Sequence, residues 1–344
     1  MQLYNRLSAE ERKALIAKAG KERITLSFYQ YAKIGNPQLF RDMLFLEWDK
    51  LDVLGRTYVA SEGINGQVSL PADKLEDFRL QLNTIDFLKN IRLNIAREQD
   101  NNSFLKLKIK VRDKIVADGL NDETFDVTKK GKHVNAQEFN KILEREDTIV
   151  VDMRNHYESE IGHFETAITP DVDTFRESLP LIEKELIEYK ESKNLLMYCT
   201  GGIRCEKASA YFRHKGFENV FQLEGGIIEY TRQVKAERLE NKFKGKNFVF
   251  DERKSERISN DVISVCHQCG EPSDEHTNCA HMGCHLLFIQ CESCKEKTDN
   301  TCSENCKTVV NLTLEEQKEL RKGNPVGVKQ YRKGRSPVLK FKKQ

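Results

Sequence analysis

Residues 197–205 read Met-Tyr-Cys-Thr-Gly-Gly-Ile-Arg-Cys, and this segment carries more structural information than any other in the chain. Its first residues end an apolar strand that starts at Leu195, its two glycines let the backbone curl, and a helix is predicted to begin near Arg204. Successive backbone N–H groups in such a loop point inward and form an anion cradle, which the N-terminus of the helix reinforces. A cysteine in that cradle has a stabilised thiolate, so Cys199 is predicted to be a nucleophile and not a buried structural thiol.

Short apolar strands alternate with helical stretches on both sides of this loop. Strands are predicted at residues 149–153, 195–199 and 220–223, and helices at residues 174–190, 204–215 and 227–235. Such alternation builds a parallel sheet that is covered by helices. The sequence therefore predicts an α/β domain over residues 146–240.

The N-terminal part of the chain has a different pattern. Ser8 and Glu11 form a capping box that begins a first helix, and the following segments read β-α-β-β-α-β with a trailing strand. This order predicts a ferredoxin-like α+β domain within residues 1–118. Residues 119–145, which mix glycines with charged residues, are predicted to be a linker.

Eight of the ten cysteines lie close together in residues 241–310, in a segment with few aliphatic residues. They form the pairs Cys266-x2-Cys269, Cys279-x4-Cys284, Cys291-x2-Cys294 and Cys302-x3-Cys306. So small a core needs additional staples to fold, and eight thiols supply two structural four-cysteine zinc sites. Thiolates also suit an iron–sulfur cluster, so the metal stays open. Histidines that could replace a cysteine in either set are His267, His276, His281 and His285.

The chain is nearly neutral as a whole, but its end is strongly basic. Its 344 residues include 56 Lys and Arg against 54 Asp and Glu, a net charge of +2. No acidic residue follows Glu319, so residues 311–344 are predicted to be a basic tail that either binds an anionic partner or is merely solvated. Candidates for phosphate contact are Arg321, Lys322, Arg332, Lys333 and Arg335 in the tail, and Lys106, Lys108, Lys110 and Arg112 along one predicted strand. The strand residues alternate strictly, as they would on an ordinary solvated face.

The predicted compartment follows from two features that the sequence lacks. No apolar run approaches the ~20 residues of a membrane helix, and the start has no secretion signal. We therefore predict a cytoplasmic protein without a membrane partner. In the reducing cytosol, clustered cysteines indicate metal binding or catalysis more often than disulfides.

The central domain resembles the rhodanese family. The likeness rests on Asp-Met-Arg at residues 152–154, Gly-His-Phe at residues 162–164, the loop itself and Glu-Gly-Gly at residues 224–226. Rhodaneses carry sulfur as a persulfide on the loop cysteine. The loop from Cys199 to Arg204 has six residues, the rhodanese length, whereas the related cysteine phosphatases use one more. The resemblance therefore argues against phosphatase activity.

The same resemblance gives roles to individual residues. Arg204 is expected to help close the loop, in which Thr200, Gly201, Gly202 and Ile203 form the persulfide or anion cradle. Residues expected to hold the fold rather than to take part in chemistry are Asp152, Arg154, Glu158 and His163. Cys205 is either a resolving thiol for Cys199 or a small residue packed in the first turn of the helix.

Over residues 5–310 the chain is similar to one family, the rhodanese-homology tRNA uridine-34 hydroxylases. Further motifs that carry this likeness lie at residues 61–66, 153–158, 245–253 and 266–270. The resemblance implies an acylphosphatase-like N-terminal domain, tRNA as partner, and oxygen-dependent conversion of wobble uridine to 5-hydroxyuridine with O2 as co-substrate. The sequence shows no dinucleotide fingerprint or facial triad, so a redox cofactor and the electron donor stay open.

Three functions are consistent with these motifs. The leading hypothesis is a tRNA-modifying enzyme in which Cys199 is the catalytic thiol, assisted by Arg204. Cys199 then acts either as an oxygen-handling thiol or as a covalent one, and one hypothesis is that it attacks carbon 6 of the uracil ring and so activates carbon 5. The second is a sulfurtransferase that receives sulfur from a donor, carries it as a persulfide on Cys199 and passes it to an acceptor. The third is a non-catalytic adaptor that binds RNA or protein through the cysteine-rich region and the tail.

Overall fold

The computed structural model describes residues 3, 7–120, 126, 129–322, 332 and 334–340. These residues form an N-terminal α+β domain, a central parallel sheet covered by helices, and a cysteine-rich region with small antiparallel sheets. None of the helices in these ranges is both long enough and apolar enough to span a membrane.

The N-terminal domain is built on a five-stranded sheet. Its strands are β1 (Arg23–Tyr31), β2 (Leu54–Ala60), β3 (Gly63–Pro71), β4 (Asn94–Ile95) and β5 (Leu107–Val111), in the order β4-β1-β3-β2-β5. Its helices are α1 (Ala9–Ala19), α2 (Pro37–Lys50) and α3 (Leu75–Asn83), with 3-10 turns at Ala72–Lys74 and Asp86–Leu88. β2 and β5 pair in parallel and the other pairs are antiparallel. This topology confirms the predicted ferredoxin-like, acylphosphatase-like fold.

Alternation along β1 gives the sheet two different faces. Phe28 is buried and packs edge-on against Trp48 of α2 and Phe78 of α3, so helices cover this face. Ser27 and Tyr29 point to the opposite face, because successive side chains of a strand alternate. That second face is not covered by α2 and α3 and is directed toward the central domain.

The central domain has the predicted parallel sheet. Its strands are β6 (Lys132–Val134), β7 (Thr148–Asp152), β9 (Asn194–Tyr198) and β10 (Val220–Leu223), in the order β6-β10-β9-β7, and β8 (Gly162–Phe164) lies outside this sheet. Its helices are α4 (Ala136–Leu143), α5 (His156–Ser159), α6 (Phe175–Leu186), α7 (Ile203–His214) and α8 (Gly226–Glu237), with a 3-10 turn at Ile187–Tyr189. All three strand pairs are parallel.

The prediction of a linker over residues 119–145 is wrong for its second part. Strand β6 pairs with β10 at the edge of the parallel sheet, and α4 follows it directly. A strand of three residues is too short to show periodicity, which explains the error. The capping box formed by Asn135 and Glu138 was the available signal for α4, and Phe139 anchors this helix in the core against Phe164.

The cysteine-rich region continues from the central domain through a shared sheet. Its strands are β11 (Phe243–Phe248), β12 (Ser255–Arg257), β13 (His276–Asn278) and β14 (Leu287–Ile289), and its helices are α9 (Glu292–Thr298), α10 (Glu304–Val310) and α11 (Leu314–Leu320). One sheet has the order β12-β11-β8, so β8 joins the two parts, and β13 pairs with β14. Helix α11 lies within the predicted basic tail, and the buried Leu339 packs against the cysteine-rich core.

Candidate active site

Cys199 lies directly after β9, in the loop that leads into α7. Its side chain is buried, and its Sγ accepts a hydrogen bond from the backbone N–H of Gly202 at 3.1 Å. Burial by itself raises the pKa of this thiol. Hydrogen bonds from Cys205 and the charge of Arg204 outweigh burial and lower the pKa to about 6, so Cys199 is largely a thiolate at neutral pH.

Cys205 lies in the first turn of α7 and is also buried. Burial raises its pKa well above the ordinary value, and the neighbouring Cys199 thiolate raises it further. Cys205 therefore stays protonated and donates to the sulfur of Cys199. The two thiols have divided roles, one as the anion and the other as its hydrogen-bond donor.

The loop backbone is held by contacts that only glycine permits. Gly202 has φ +96°, and a Cβ there would lie 2.8 Å from the hydroxyl oxygen of Tyr29 in the N-terminal domain. Gly226, at the start of α8, has φ +66°, and its Cβ would lie 2.5 Å from the carbonyl oxygen of Cys199. The N–H of Ile227 donates to that carbonyl oxygen at 3.0 Å. The Glu-Gly-Gly motif and the residue after it therefore hold the backbone of the loop at Cys199.

Arg204 is held by Glu158 in a buried, two-pronged ion pair. Its Nη1 and Nη2 each lie 2.7 Å from one carboxylate oxygen of Glu158, whose side chain is 0% exposed. Burial raises the pKa of Glu158, but the charge and hydrogen bonds of Arg204 outweigh it and keep the pKa below its usual value. The hydroxyl oxygen of Thr200 lies 3.4 Å from Glu158 Oε2 and 3.4 Å from Arg204 Nη2, so it contacts both members of the ion pair. The guanidinium is thereby oriented next to the thiolate.

A cavity of about 430 Å³ opens at this loop, between the N-terminal and central domains. The central domain contributes the loop residues Cys199, Thr200, Gly201, Ile203 and Arg204, with Asn155, Phe175 and Ile228 nearby. The N-terminal domain contributes the open face of its sheet, with Ser27, Tyr29, Arg56, Tyr58, Asn65, Gln67 and Asn94. Register explains this set, since Ser27 is paired with Gln67 and with Asn94, and Tyr29 with Asn65.

The contribution of the N-terminal domain was not predicted. The available signal was the polar and aromatic character of alternate residues in β1 and β2, opposite the apolar core positions. Two further contacts fix the domains together. Tyr29 donates to Glu206 at 3.2 Å, and the fully buried Lys207 forms ion pairs with Glu62 at 2.7 Å and Asp118 at 3.2 Å.

The rhodanese-like Asp152 and Arg154 form a second buried ion pair. Arg154 Nη2 lies 2.6 Å from Asp152 and donates to the carbonyl oxygen of Gly162 at 2.5 Å. The ring of His163 contacts the carbonyl oxygen of Ser159 at 2.8 Å. These contacts join β7, β8 and α5, and the three side chains are separate from those that line the cavity.

The eight clustered cysteines form two groups of four thiols. The first group is Cys266, Cys269, Cys291 and Cys294, and the second is Cys279, Cys284, Cys302 and Cys306. Within each group all sulfurs lie within 4.8 Å of one another. The two groups are interleaved along the chain, because each takes alternate pairs.

The sulfur spacing fits a tetrahedral metal ion. Sγ–Sγ distances of 3.6 Å for Cys269–Cys291 and Cys284–Cys302, and of 3.8 Å for Cys302–Cys306, are too long for a disulfide. Four sulfurs at a zinc–sulfur distance of 2.3 Å lie about 3.8 Å apart. Each group already has four thiols, so no histidine is needed. Of the four candidate histidines, His281 lies close to a thiol, with Nδ1 3.4 Å from Cys306 Sγ, while His267 contacts Glu160 and His276 is buried with a lowered pKa.

The four predicted phosphate-contact residues of the tail that the structure describes each contact another group of the protein. Arg335 forms an ion pair with Asp171, and Lys322 forms one with Glu319. Arg332 donates to Cys284 Sγ at 3.5 Å, and Arg321 to the carbonyl oxygen of Gln317. Lys333 lies outside the described residues.

The strand candidates adjoin the cavity. Lys108 is the register partner of Arg56, and Lys110 that of Tyr58, so they extend the cavity wall along β5. Burial lowers the pKa of Lys108, and the positive charges of Arg56, Lys106 and Lys110 lower it further. Arg112 lies over the ring of Tyr58 at 5.7 Å. A stripe of clustered cations therefore begins at the cavity.

Three protein-family models match consecutive parts of the chain. They are the UPF0176 acylphosphatase like domain over residues 23–115, the rhodanese-like domain over residues 135–233 and the rhodanase C-terminal family over residues 244–307. Their order agrees with the fold of the N-terminal domain, the parallel sheet and the cysteine-rich region.

Curated relatives extend over nearly the whole chain. A Photorhabdus laumondii protein named tRNA uridine(34) hydroxylase is 52% identical over 97% of this chain and 95% of its own length. A Leptospira interrogans protein of the same name is 54% identical over 93% of this chain and 87% of its own length. Among solved structures, the rhodanese-like domain of an Anabaena protein is 19% identical and covers 33% of this chain and 78% of that chain, with a TM-score of 0.27.

Proposed function

We propose that Cys199 is the catalytic thiol and O2 the oxidant of this chain, which belongs to the tRNA uridine(34) hydroxylase family and hydroxylates the wobble uridine of tRNA. The observation that supports the proposal is the Cys199 thiolate in the wall of a cavity of about 430 Å³. That cavity is large enough for a flipped base, and a thiolate in it can act as a nucleophile.

The proposed chemistry uses the polarity of the uracil ring. The Cys199 thiolate adds to carbon 6, which makes carbon 5 nucleophilic, and carbon 5 receives one oxygen atom of O2. The other oxygen atom leaves as water, with two electrons and two protons from an external reductant. Loss of the carbon 5 proton and departure of the thiolate then restore the double bond.

Neighbouring groups support the thiolate in this step. Arg204, oriented by Glu158, places a fixed positive charge beside the sulfur, and Cys205 donates a hydrogen bond to it. Such preorganised groups stabilise the anion both before attack and after departure. Arg204 lines the cavity and acts directly, whereas Glu158 acts through Arg204.

The open sheet face suits a single-stranded RNA loop. Anticodon bases can be splayed out and stacked on aromatic side chains, and Tyr29 and Tyr58 are available in the cavity wall. Lys108 and Lys110 continue the same face, where they would hold the phosphates that flank the base. A tRNA substrate implies that the reaction takes place in the cytoplasm.

We assign structural zinc to the two cysteine groups. Four thiolates close each tetrahedral site and leave no open position for a substrate, so these sites would stabilise the fold and would not take part in hydroxylation.

Sulfur transfer is the second candidate function. The same cradle that stabilises a thiolate would stabilise a persulfide on Cys199, since the Gly202 N–H lies 3.1 Å from the sulfur. A sulfur donor would then be the partner, and the product would be a sulfurated acceptor instead of an oxygenated base.

Product analysis separates these functions. Purified protein is incubated with unmodified tRNA and a reductant under 18O2 or under nitrogen, and the nucleosides are analysed by mass spectrometry. We expect 5-hydroxyuridine that carries 18O with the wild type, and none with Cys199→Ala or under nitrogen. Hydroxylation that persists in Cys199→Ala contradicts the assigned thiol, and sulfurated product without hydroxylation favours sulfur transfer.

A further inference from the structure

A second cavity, also of about 430 Å³, lies on the other side of the catalytic loop. It shares Tyr29, Asn94 and Gly201 with the cavity that contains Cys199. Gly201 has no side chain, and an added Cβ there would have no atom closer than the Asn94 amide nitrogen at 3.8 Å. The two cavities therefore adjoin each other at Gly201, where the loop has no side chain to separate them.

The walls of the second cavity are aromatic on one side and charged on the others. Tyr29 and Tyr31 lie next to each other on β1, with ring centroids 6.3 Å apart. Arg92 is paired with Glu224, and Lys130 with Glu206 at 2.7 Å. The cavity thus combines a surface for stacking with two cations and two carboxylates.

This balance of charge indicates which part of a ligand would enter. Two carboxylates disfavour a bare phosphate, but they accept hydrogen bonds from ribose hydroxyls and from base N–H groups. His133, which lies 2.9 Å from Glu206 in the same cavity, adds another group for such contacts. Arg92 and Lys130 would face the phosphates at the edge of the ligand. These features match a nucleoside that is part of a polymer.

We propose that this second cavity binds the nucleotide immediately next to the target uridine on the same RNA strand. The inference rests on the proposed function, since it requires a tRNA base in the cavity at Cys199. A strand whose target base enters the first cavity would cross Gly201, and its neighbouring nucleotide would reach the second cavity. The enzyme would then read two adjacent unstacked nucleotides, with Tyr29 contacting both.

Photo-crosslinking on the full chain locates the neighbouring nucleotide. Anticodon stem-loops carry 4-thiouridine at the target position, immediately 5′ of it or immediately 3′ of it, and crosslinked peptides are mapped by mass spectrometry. We expect one of the two flanking positions to react within residues 29–31 or 129–133. Reaction of both flanking positions elsewhere, with the target position reacting at the first cavity, would overturn the proposal.

A double perturbation measures the contact. Removal of the base at the crosslinked flanking position is expected to raise KM by roughly tenfold, because one stacked base is lost. In Lys130→Gln, KM for the intact stem-loop rises and kcat changes less. The slope of log affinity against log salt concentration falls by about 1, because one phosphate contact is lost. The matched control is Lys184→Gln, in an exposed position of α6, which keeps the wild-type KM.

The outcomes separate this inference from the function on which it rests. If the base removal and Lys130→Gln leave KM unchanged while 5-hydroxyuridine still forms, the second cavity does not bind RNA and the function stands. If no stem-loop binds or is hydroxylated, the proposed function itself fails. If Lys130→Gln lowers kcat by as large a factor as it raises KM, the substitution has disturbed the catalytic loop. That result would also count against the proposal.

Discussion

Cys199 and the eight cysteines of the C-terminal region offer the same functional group in different surroundings. At Cys199 a single sulfur faces a backbone N–H, a protonated thiol and an arginine. In the cysteine-rich region four sulfurs face one another within 4.8 Å, twice. The first arrangement stabilises one thiolate beside a cavity, and the second offers four donor atoms to a single cation. The neighbours of a thiol, more than its burial, therefore determine whether it is suited to act as a nucleophile or as a metal ligand.

Metal removal tests the second arrangement and should have the largest effect. Structural zinc contributes about 10–16 kcal/mol to the folding of small zinc domains, so a strong chelator should unfold the cysteine-rich region. We expect two zinc ions per chain by elemental analysis, and loss of amide hydrogen-exchange protection in β13, β14 and α10 after chelation. The N-terminal sheet serves as the internal control. Full protection in the metal-free protein would contradict the assignment.

Substitution of Cys199 tests the first arrangement. Cys199→Ser replaces a thiolate by a hydroxyl that is not ionised, and hydroxylation should fall by at least about a thousandfold, as for other catalytic nucleophiles. Zinc content and thermal unfolding should stay at their wild-type values, because serine fits the same space. Product formation in a quantitative nucleoside assay decides the outcome, and activity within a few-fold of wild type would exclude Cys199 as the nucleophile.

The buried ion pair beside the loop gives a smaller effect that concerns stability as well as activity. Glu158→Gln leaves the guanidinium of Arg204 buried without its counter-charge, which should cost about 3–5 kcal/mol. Hydrogen exchange of the α7 amides measures the change in opening free energy. Glu165→Gln, at an exposed position near β8, is the matched control and should change it little. Equal behaviour of the two variants would show that the pair contributes nothing.

The thiol that donates to Cys199 should give the smallest effect. Cys199 is a thiolate above about pH 6, so its alkylation rate should rise through that pH and then level off. Cys205→Ala removes a hydrogen bond to the anion and should move this midpoint to higher pH, with a rate at pH 6 that is roughly tenfold lower. Cys205→Ser keeps a donor and should move it less.

Alkylation is mapped by mass spectrometry at the Cys199 peptide of the zinc-loaded protein. A midpoint that is unchanged in Cys205→Ala would contradict the role of hydrogen-bond donor. Accumulation of a persulfide or sulfenate on Cys199 in that variant would instead indicate that Cys205 is a resolving thiol.

Local patterns were sufficient for the features that depend on neighbours in sequence. The strand, the two glycines and the helix around Cys199 follow from residues within one segment, as does the capping box of Ser8 and Glu11. The short strand β6 was missed because only its pairing with β10 defines it. Likewise, the spacing within each cysteine pair was visible, but the combination of alternate pairs depends on the tertiary fold.

The cavity shows the same limit for the site itself. Cys199 and Arg204 were identified from their own loop, whereas Ser27 and Tyr29 enter the site only because two domains pack against each other. Glu158 was expected to hold the fold, and its contact with Arg204 links that role to the loop. Contacts between residues over a hundred positions apart have no local signal to predict them.

The interleaving of the cysteine pairs has a consequence for the synthesis of the protein. The pairs leave the ribosome in chain order, so Cys266 and Cys269 are followed by Cys279 and Cys284, which belong to the other group. Four thiols that do not belong together are thus available before either native set is complete. A nascent chain that meets zinc at that moment can bind it with the wrong ligands, and must later exchange them to reach the native sets. With zinc as the proposed metal, we therefore expect the maturation of this region to depend on when zinc arrives as well as on how much of it is present.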